Sequence, residues 1–562
     1  MRRFRMVIAV LALFVSAVGA QAQQRFTERW VYLSTNLLVE KNVDDGIALM
    51  ERARKAGYTH VALADSKFGR LPSLDRRYFD NCRRFKAEAD RIGIRIIPCI
   101  FPIGYSESLL SQDVNLAEGL PVRDAVFQVA GGRARALTDP ATHLVNGDFE
   151  DAAGDKFNGW GFQDFIGKST FADRQVVYQG RTALRMENIG VVDPQNGHCR
   201  LSQLIDVKPF HYYHLSVWLK SEDFQTPSEA KLAVLTQGGG SLCYTDLGVK
   251  RTQDWTQHHV VFNSLTNDKV RIYTGVWNGK GGKLWWDDLR LEEPGLVNVL
   301  RRPGCPLVVK SEDGTRYVEG RDYPTVADPK LGQTPWPGGY ESWHTPPEIV
   351  LTPGSHIKDG QKLLVSFYHP AIIYGGQVTI ALSEPKTYEI LDDQMRNMHE
   401  LWRADGYFMS HDEIRVGNWS ELSVSRKLTP GEILADNVRK CTAIARKYAP
   451  GATLYIWSDM FDPNHNAHDN YYLVNGTWAG SWEGLDKSVV VVNWYYGKRD
   501  VSLKWFADRG HRQVIAGYYD SAPERILDWI ASARPVKGVY GVMYTTWQSN
   551  YKDLEAFAGH IK

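Results

Sequence analysis

A repeat of short apolar segments, each joined to the next by a helical segment, constrains the fold of this chain more than any other feature. Three such segments precede a long interruption and five follow it. Continuous apolar strands are typical of parallel sheets that are buried on both faces, and eight strands alternating with helices are the count of a closed barrel. The predicted strands are 30–35, 60–65, 94–101, 406–414, 453–460, 489–496, 513–520 and 538–547. We therefore predict an α/β fold, a (β/α)8 TIM barrel interrupted after its third strand.

The segments between the strands carry apolar residues at the three- and four-residue spacing of amphipathic helices. In 44–56, for example, Ile47, Met50 and Ala53 share one face. A later helix is expected to begin at Thr429, where Thr-Pro-Gly-Glu has the residues of a capping box with proline at the first helical position. Both helices would pack an apolar stripe against the barrel.

The interruption has the texture of an all-β region, with alternating apolar and polar stretches and many turn residues. It opens with NGDFE at 146–150 and closes with WWDDLRLE at 285–292, and this combination resembles the carbohydrate-binding, galactose-binding-like β-sandwich modules. The predicted organisation is a signal peptide at 1–22, barrel strands one to three at 23–142, a jelly-roll β-sandwich at 143–293, a β-rich extension at 294–383, and barrel strands four to eight with the catalytic site at 384–562.

The N-terminus predicts export. Arg2, Arg3 and Arg5 precede an apolar run, and Ala20-Gln21-Ala22 suits a signal peptidase. No later segment approaches the roughly 20 consecutive apolar residues that a membrane-spanning helix requires. We expect a periplasmic or extracellular protein without a membrane span.

The charge balance and the aromatic content point to a neutral partner. Lys plus Arg number 66 and Asp plus Glu number 65, so no field of one sign is available to attract nucleic acid. The 18 Trp and 27 Tyr residues supply flat rings suited to stacking on sugar faces. The expected partner is a glycan or polysaccharide, and nucleic acid is not expected.

Metal and disulfide chemistry have few candidates. Cys199 and Cys243 could pair after export. Glu150, Asp287 and Asp288 are candidate oxygen ligands for a structural calcium ion in the β-sandwich. No cofactor for catalysis is expected, and His465 and His468 are interpreted as loop residues because the sequence offers them no third ligand.

Polar residues gather at the carboxyl ends of the predicted strands, where a barrel of this type places its active site. Asp412 and Glu413 end strand four and are the candidate catalytic residues. The candidate substrate-binding residues are Asn36, Asp65, His411, Arg415, Trp457, Asp459, Trp494, Tyr495, Tyr518, Asp520 and Trp547.

Two carboxyl groups are the usual equipment for glycoside hydrolysis. Asp412 and Glu413 are neighbours, and neighbouring side chains of a regular strand point to opposite faces. At a strand end that turns into a loop this restriction weakens. A pair of this kind suits substrate-assisted hydrolysis, in which the 2-acetamido group of the sugar attacks its own anomeric carbon.

The strand-four Asp-Glu pair, the Trp-x-Asp of strand five and the aromatic residues ending strands six to eight resemble the family 20 hexosaminidases and related substrate-assisted β-N-acetylhexosaminidases. The resemblance implies that Asp412 polarises the acetamido group and that Glu413 is the acid/base. It also implies that Tyr518 donates to the acetamido carbonyl, that Asp520 binds a hydroxyl group and that Trp457, Trp494 and Trp547 are pocket walls. The chain departs from that family at Ser410-His411, Asn36 and Ser549, where the family has Gly-Gly, Arg and Glu.

The predicted function is therefore an exported, exo-acting, retaining glycoside hydrolase that removes a terminal sugar, with N-acetylhexosamine as one candidate. The departures leave open direct attack by a protein carboxylate, Asp520 or Glu483. They also leave open a non-catalytic glycan-binding protein on a degenerate barrel, while a polysaccharide lyase would require a basic pocket. In the structural alternative, Asp412 and Glu413 form a salt-bridge cluster with His411 and Arg415, and Asp459 and Asp520 are loop caps.

Overall fold

The computed structural model of the protein describes residues 26–561, so the predicted signal peptide at 1–22 lies outside the described residues. Within that range eight parallel strands close into a barrel in chain order, the first pairing with the last. We number them barrel strands one to eight: Glu28–Ser34, His60–Ala64, Arg95–Ile100, Gly406–Met409, Thr453–Trp457, Val490–Asn493, Gln513–Tyr518 and Val539–Thr545. The predicted eight-stranded α/β barrel is confirmed, and the strands are shorter than predicted mainly at their carboxyl ends.

Helices surround the barrel. Thr429 starts one of them with the predicted capping box, in which its side chain accepts from the amide of Glu432 and Glu432 reaches back to the amide of Thr429. Between strands five and six the described chain uses short 3-10 turns instead of an α-helix. The helices are Glu40–Ala56, Arg76–Ile92, Glu107–Leu110, Pro385–Trp402, Glu421–Ser425, Pro430–Tyr448, Arg499–Asp508, Ile526–Ala533 and Leu554–His560.

The barrel interior is filled by alternate residues of all eight strands, as the two-residue period of a strand dictates. Large rings occupy it at both ends. Near the amino end, Trp30 stacks on His60 with ring centroids 4.8 Å apart. Near the carboxyl end, Trp457 packs against Phe408 at 4.7 Å. The interior is thus solid, and a cavity can form only above the strand ends.

Antiparallel sheets lie between barrel strands three and four in the described chain. Two of them share one apolar core, in which Trp286 and Tyr213 are fully buried. Their strands, in sheet order, are Gln253–Asn263, Tyr212–Glu222, Lys283–Glu292, Ala183–Met186 and Thr170–Asp173 in one sheet, and Ala230–Thr236, Lys269–Val276, Cys199–Asp206 and Phe162–Gln163 in the other.

A further antiparallel sheet combines segments that the sequence assigned to different parts. Strand Gly119–Ala130, placed with the barrel at the sequence level, pairs along its length with Lys362–Pro370 of the β-rich extension. The remaining strands of this sheet are Val308–Ser311, Arg316–Tyr317, Arg133–Ala136 and Ile349–Val350. The chain therefore enters this sheet before the sandwich and returns to it afterwards, because antiparallel partners need not be close in sequence.

The six cysteines are buried thiols, and the pairing considered for Cys199 and Cys243 is not present. Cys199 donates instead to the carbonyl of Ser169 at 3.2 Å. Among residues 26–561 no helix combines the length and apolar character needed to cross a membrane.

The predicted calcium ligands are engaged by protein donors. Glu150 accepts from the amides of Arg181 and Thr182, and Asp288 accepts from the Arg290 side chain at 2.8 Å. Asp287 accepts from the amide of Tyr178, with one carboxylate oxygen left buried without a partner. Within the described chain no group of three or more His, Cys, Asp and Glu residues is arranged to hold a metal ion, and a calcium site stays a prediction.

Candidate active site

A cavity of about 1040 Å³ opens above the carboxyl ends of the barrel strands. Asp412 and Glu413 both line it, as do predicted residues from strands two, five, six and eight. Segments 335–340 and 375–376 of the interruption close its other side. The predicted site residues that line it are Asp65, Asp412, Glu413, Trp457, Trp494 and Trp547.

The backbone after the end of strand four allows two adjacent carboxyl groups to line the same cavity. The strand stops at Met409, and Glu413 adopts a left-handed backbone with φ of 48°. This conformation is uncommon for a residue other than glycine, and it breaks the alternation that would separate the two side chains. Gly104 makes it possible, because a Cβ atom there would lie 1.9 Å from the Asp412 carbonyl oxygen.

The carboxylate of Glu413 binds one cationic and one neutral side chain. Arg415 Nη2 lies 2.8 Å from Glu413 Oε2, and the Tyr105 hydroxyl donates to the same oxygen. Gln377 joins the assembly: its amide nitrogen donates at 2.9 Å to the carbonyls of Gly104 and Glu413, and its oxygen accepts from Arg415. Charge-assisted bonds of this kind fix a carboxylate firmly.

Asp459 supports Glu413 from below the cavity. This fully buried carboxylate accepts from the backbone amide of Glu413 at 2.8 Å. It also accepts from Asn466 at 2.9 Å and from the Trp494 indole at 3.3 Å. Asp459 therefore connects the candidate catalytic residue to one ring of the cavity wall.

Three carboxyl groups close together in a buried place cannot all ionise easily. Burial raises the pKa of Asp412 well above its usual range, and the charges of Asp459 and Glu413 add to the effect. Burial and Glu413 likewise raise the pKa of Asp459, to about 7. Asp412 forms no ion pair within the described residues, so this group of acids holds at least one proton near neutral pH.

Aromatic rings build most of the remaining wall. Trp457, Tyr32 and Trp547 form a continuous group, with Trp547 5.0 Å from Tyr32 and 5.9 Å from Trp457. The rings of Trp494 and Tyr519 are parallel, with their centroids 5.6 Å apart and an interplanar angle of 2°. Rings set at several angles around carboxyl groups can contact both the apolar and the polar faces of a bound ring.

The structure puts Tyr519, not Tyr518, against the cavity. Tyr518 is buried, donates to Asp553 at 2.8 Å and stacks on Tyr544, so it cannot take the role carried over from the resemblance. Tyr518, Tyr519 and Asp520 all have positive φ, which turns the chain and brings the next side chain inward. Burial raises the pKa of Tyr519, and the neighbouring Glu413, Asp459 and Asp412 raise it further.

Asp520 is a brace. One carboxylate oxygen accepts from the Thr546 hydroxyl and the other from the amide of Trp547 at 2.7 Å. It does not line the cavity, and it orders the loop that carries Trp547.

Asn36 and Asp65 organise neighbouring loops. Asn36 accepts from the amide of Leu38 at 3.1 Å and does not line the cavity. Asp65 reaches the cavity wall, yet its oxygens already accept from the amides of Leu37 and Lys67 and from the Tyr78 hydroxyl, each at 2.9 Å.

His411, Tyr495 and Glu483 are outside the cavity lining. His411 is buried against Asn437, and burial lowers its pKa to about 3, so it stays neutral and is no part of a salt-bridge cluster. Tyr495 stacks on His465 at 4.2 Å. Glu483 is exposed on the 3-10 turn Ser481–Gly484, where its carbonyl accepts from Arg439 of the Pro430–Tyr448 helix.

Several cavity residues were not singled out by the sequence. Tyr105 and Gln377 contact Glu413 or its loop, while Trp336, Lys67 and Arg70 line the cavity. The Gly-Tyr that includes Tyr105 follows strand three closely enough to have been found by the strand-end rule. Gln377 and Trp336 come from the interruption, and no local pattern indicates their position.

Comparisons with known proteins give weak likenesses. No protein family model matches the chain, and no curated protein does. Among solved structures, a rhamnosidase from Novosphingobium sp. PP1Y matches over 96% of this chain and 58% of its own length, with 9% identity and a TM-score of 0.34.

Two others match parts of the chain. A chitobiase from Flavobacterium johnsoniae matches over 34% of this chain and 30% of its own, with 16% identity and a TM-score of 0.24. The CBM22-1 xylan-binding domain of Paenibacillus barcinonensis Xyn10C matches over 28% of this chain and 97% of its own, with 12% identity and a TM-score of 0.21. This chain thus spans little more than half of the rhamnosidase and less than a third of the chitobiase.

Proposed function

We propose that this protein is an exported, exo-acting, retaining glycoside hydrolase that removes a terminal sugar, with an N-acetylhexosamine as the first candidate. The observation that carries the proposal is the presence of Asp412 and Glu413 on one cavity above the barrel, walled by tryptophan and tyrosine rings. Two carboxyl groups beside a cavity that can hold a sugar are the usual requirement for acid-catalysed cleavage of a glycosidic bond.

In the proposed mechanism Glu413 protonates the leaving oxygen and later activates water, while Asp412 stabilises the acetamido group as it attacks the anomeric carbon. The placement of the alternative nucleophiles favours an acetamido nucleophile. Both oxygens of Asp520 accept hydrogen bonds from the Trp547 loop, and exposed Glu483 is outside the lining. Tyr519 takes the place proposed for Tyr518 at the cavity wall.

One observation favours a second assignment of roles. Arg415 and Tyr105 both bind Glu413 in a manner that suits a carboxylate, whereas Asp412 lacks an ion pair in the described chain and its pKa is raised well above its usual range. Under this assignment Asp412 would donate the proton and Glu413 would be the protein nucleophile. The two schemes assign the proton to different atoms, which makes them separable.

The experiment uses aryl glycosides of N-acetylglucosamine, N-acetylgalactosamine, glucose and rhamnose with the wild type, Glu413→Gln and Asp412→Asn. Loss of a general acid lowers the rate by about 100- to 10,000-fold for a poor leaving group, and far less for dinitrophenolate, which departs without a proton. Retained dinitrophenyl hydrolysis in Glu413→Gln supports the first scheme. The same behaviour in Asp412→Asn instead supports the second.

Substrate assistance has its own readout. A thiazoline analogue should inhibit the wild type, and sugars without an acetamido group should not be cleaved. Cleavage of such sugars at comparable rates would contradict an acetamido nucleophile. If the wild type cleaves nothing in the panel or in natural glycans, the hydrolase proposal fails in favour of a glycan-binding protein.

A further inference from the structure

Two cations line the cavity and have no role in the proposed chemistry. Lys67 and Arg70 lie on the 3-10 turns Ser66–Gly69 and Leu71–Ser73, directly after barrel strand two. Within the described residues neither side chain forms an ion pair. The Lys67 ammonium donates to the Ser66 hydroxyl at 3.0 Å, and the Arg70 side chain has no hydrogen-bond partner among residues 26–561. Arg70 is half-buried, and its guanidinium group carries five N–H donors that are free for a ligand with oxygen acceptors.

The turn that carries these cations is held firmly. Asp65 accepts from the amide of Lys67, and the carbonyls of Phe68 and Gly69 accept from Gln394 at 3.2 Å and Gln112 at 2.7 Å. Gly69 packs so closely on Ser108 that an added Cβ would lie 2.2 Å from its hydroxyl oxygen. A rigid backbone presents the two charges in a fixed place, which is how binding sites are built.

Neighbouring acids among the described residues form no ion pair with them. The oxygens of Asp65 accept from amides and from Tyr78, and Glu107 accepts from the amide of Val378 at 3.1 Å. Arg415, by contrast, forms an ion pair with Glu413. The strand-two side of the cavity therefore carries two cations that form no ion pair with a described acid, and Asp65 interacts with the Lys67 ammonium only through its charge.

The cavity has space for a charged group beside the sugar. Its volume of about 1040 Å³ lies at the upper end of the range for small-molecule sites. The rings of Tyr32, Trp457, Trp494, Tyr519 and Trp547 come from the ends of strands one and five to eight, and the cations from the loop after strand two. A sugar packed on the rings can extend a substituent toward Lys67 and Arg70 while its anomeric carbon faces strand four.

We propose that Lys67 and Arg70 bind an anionic substituent, a carboxylate or a sulfate, on the sugar that occupies the cavity. This inference rests on the proposed hydrolase function and names its substrate class as an acidic glycan. Arginine suits both groups because its planar fork matches two of their oxygens.

The test compares matched neutral and acidic substrates. Aryl N-acetylglucosaminide is assayed beside its 6-sulfate and its 6-carboxylate (the N-acetylglucosaminuronide), with the wild type, Lys67→Gln, Arg70→Gln and Arg77→Gln. Arg77 is exposed on the Arg76–Ile92 helix, away from the cavity, and is the matched control. We expect at least one acidic substrate to be cleaved with a kcat/KM about 10-fold above its neutral counterpart, equivalent to one charged hydrogen bond.

The variants should remove this preference. Lys67→Gln and Arg70→Gln should raise KM for the acidic substrate about 10-fold and leave the neutral one unchanged, while Arg77→Gln alters neither. The 6-sulfate and the 6-carboxylate distinguish the two anions. Equal efficiency on neutral and acidic substrates, or equal losses on both in the variants, overturns the inference.

Calorimetric titration separates this inference from the hydrolase proposal. Glucuronic acid and N-acetylglucosamine 6-sulfate are titrated into the wild type and Arg70→Gln. If no glycoside is cleaved but an acidic sugar binds and Arg70→Gln abolishes that binding, the hydrolase fails and the anion site stands. If glycosides are cleaved but no acidic sugar binds, the anion site fails.

Discussion

The backbone amide of Glu413 donates to Asp459 Oδ2 at 2.8 Å, so a residue just beyond strand five fixes the loop that follows strand four. The same carboxylate accepts from the Trp494 indole. Asp459 thereby sets the position of a candidate acid/base and of one cavity ring through hydrogen bonds alone. Because positioning within about 0.5 Å decides catalytic efficiency, Asp459 is a positioning residue of the proposed site.

Replacing Asp459 with alanine should lower kcat about 100-fold with little change in KM, since a small displacement of a catalytic group costs roughly that factor. Steady-state kinetics on the best aryl glycoside check this. Asp469→Asn, an exposed change in the following loop, is the control and should retain full activity. A rise in KM at constant kcat would instead mean that Asp459 contributes to sugar binding.

The free energy of unfolding should fall as pH rises toward and through about 7. Asp459 has a folded pKa of about 7 and an ordinary carboxyl pKa when unfolded, so between these values the folded state holds the extra proton. Its contribution is fully present at low pH and is lost as pH rises through about 7. The buried histidines, whose pKa is lowered, change the stability only below about pH 6.5. Thermal unfolding of the wild type from pH 6.5 to 8.5 should therefore show a Tm that falls and then levels off above about pH 8.

Asp459→Asn should flatten that decline, because asparagine carries no titrating proton. Asp469→Asn should keep the wild-type slope. An unchanged slope in Asp459→Asn would assign the decline to other groups, such as Glu107, whose pKa is raised to about 7 by burial.

The barrel was predictable because each strand is a continuous apolar run, and such runs have few alternatives to a doubly buried sheet. The strand-end rule also found Asp412, Glu413, Trp457 and Trp547 on the cavity. It failed at Tyr518, where three successive residues with positive φ shift the inward position to Tyr519. Left-handed backbone is usually predicted from a glycine, and Tyr-Tyr-Asp contains none.

Contacts made across the interruption were beyond prediction. Gln377 meets Glu413 and Arg415 only after the chain has passed through the antiparallel sheets, so its partners depend on tertiary packing. His411 shows the converse. Its neighbours Asp412 and Glu413 suggested a charged cluster. The His411 side chain instead contacts Asn437 and is buried away from water.

Replacing Arg415 with glutamine should lower kcat about 100-fold with little change in KM. Arg415 Nη2 lies 2.8 Å from Glu413 Oε2 and the same side chain donates to Gln377, so its loss releases Glu413 from its fixed position. Steady-state kinetics on the best aryl glycoside measure the change. Arg426→Gln, which removes an ion pair to Asp436 on the surface of the barrel, is the control. An unchanged kcat in Arg415→Gln would mean that this ion pair does not position Glu413.

Replacing Trp547 with alanine should weaken substrate binding without unfolding the protein. The side chain is 48% exposed and contacts Tyr32, Trp457 and Tyr519 at the cavity mouth. A half-exposed ring stabilises the fold less than a buried one, whose loss costs about 3–5 kcal/mol, so Tm should fall by only a few degrees. Loss of an aromatic face that stacks on the sugar should raise KM about 10-fold.

Trp255→Ala, at a partly buried ring of the antiparallel sheets, is the matched control and should leave KM on a small aryl glycoside unchanged. Asp520→Ala provides the complementary measurement, because Asp520 accepts from the amide of Trp547 and orders its loop. If Trp547 is a wall of the sugar site, Asp520→Ala should raise KM in the same direction while adding little to Trp547→Ala in the double variant. Additive effects would show that Asp520 acts independently of the ring, which would reopen a direct role for that carboxylate.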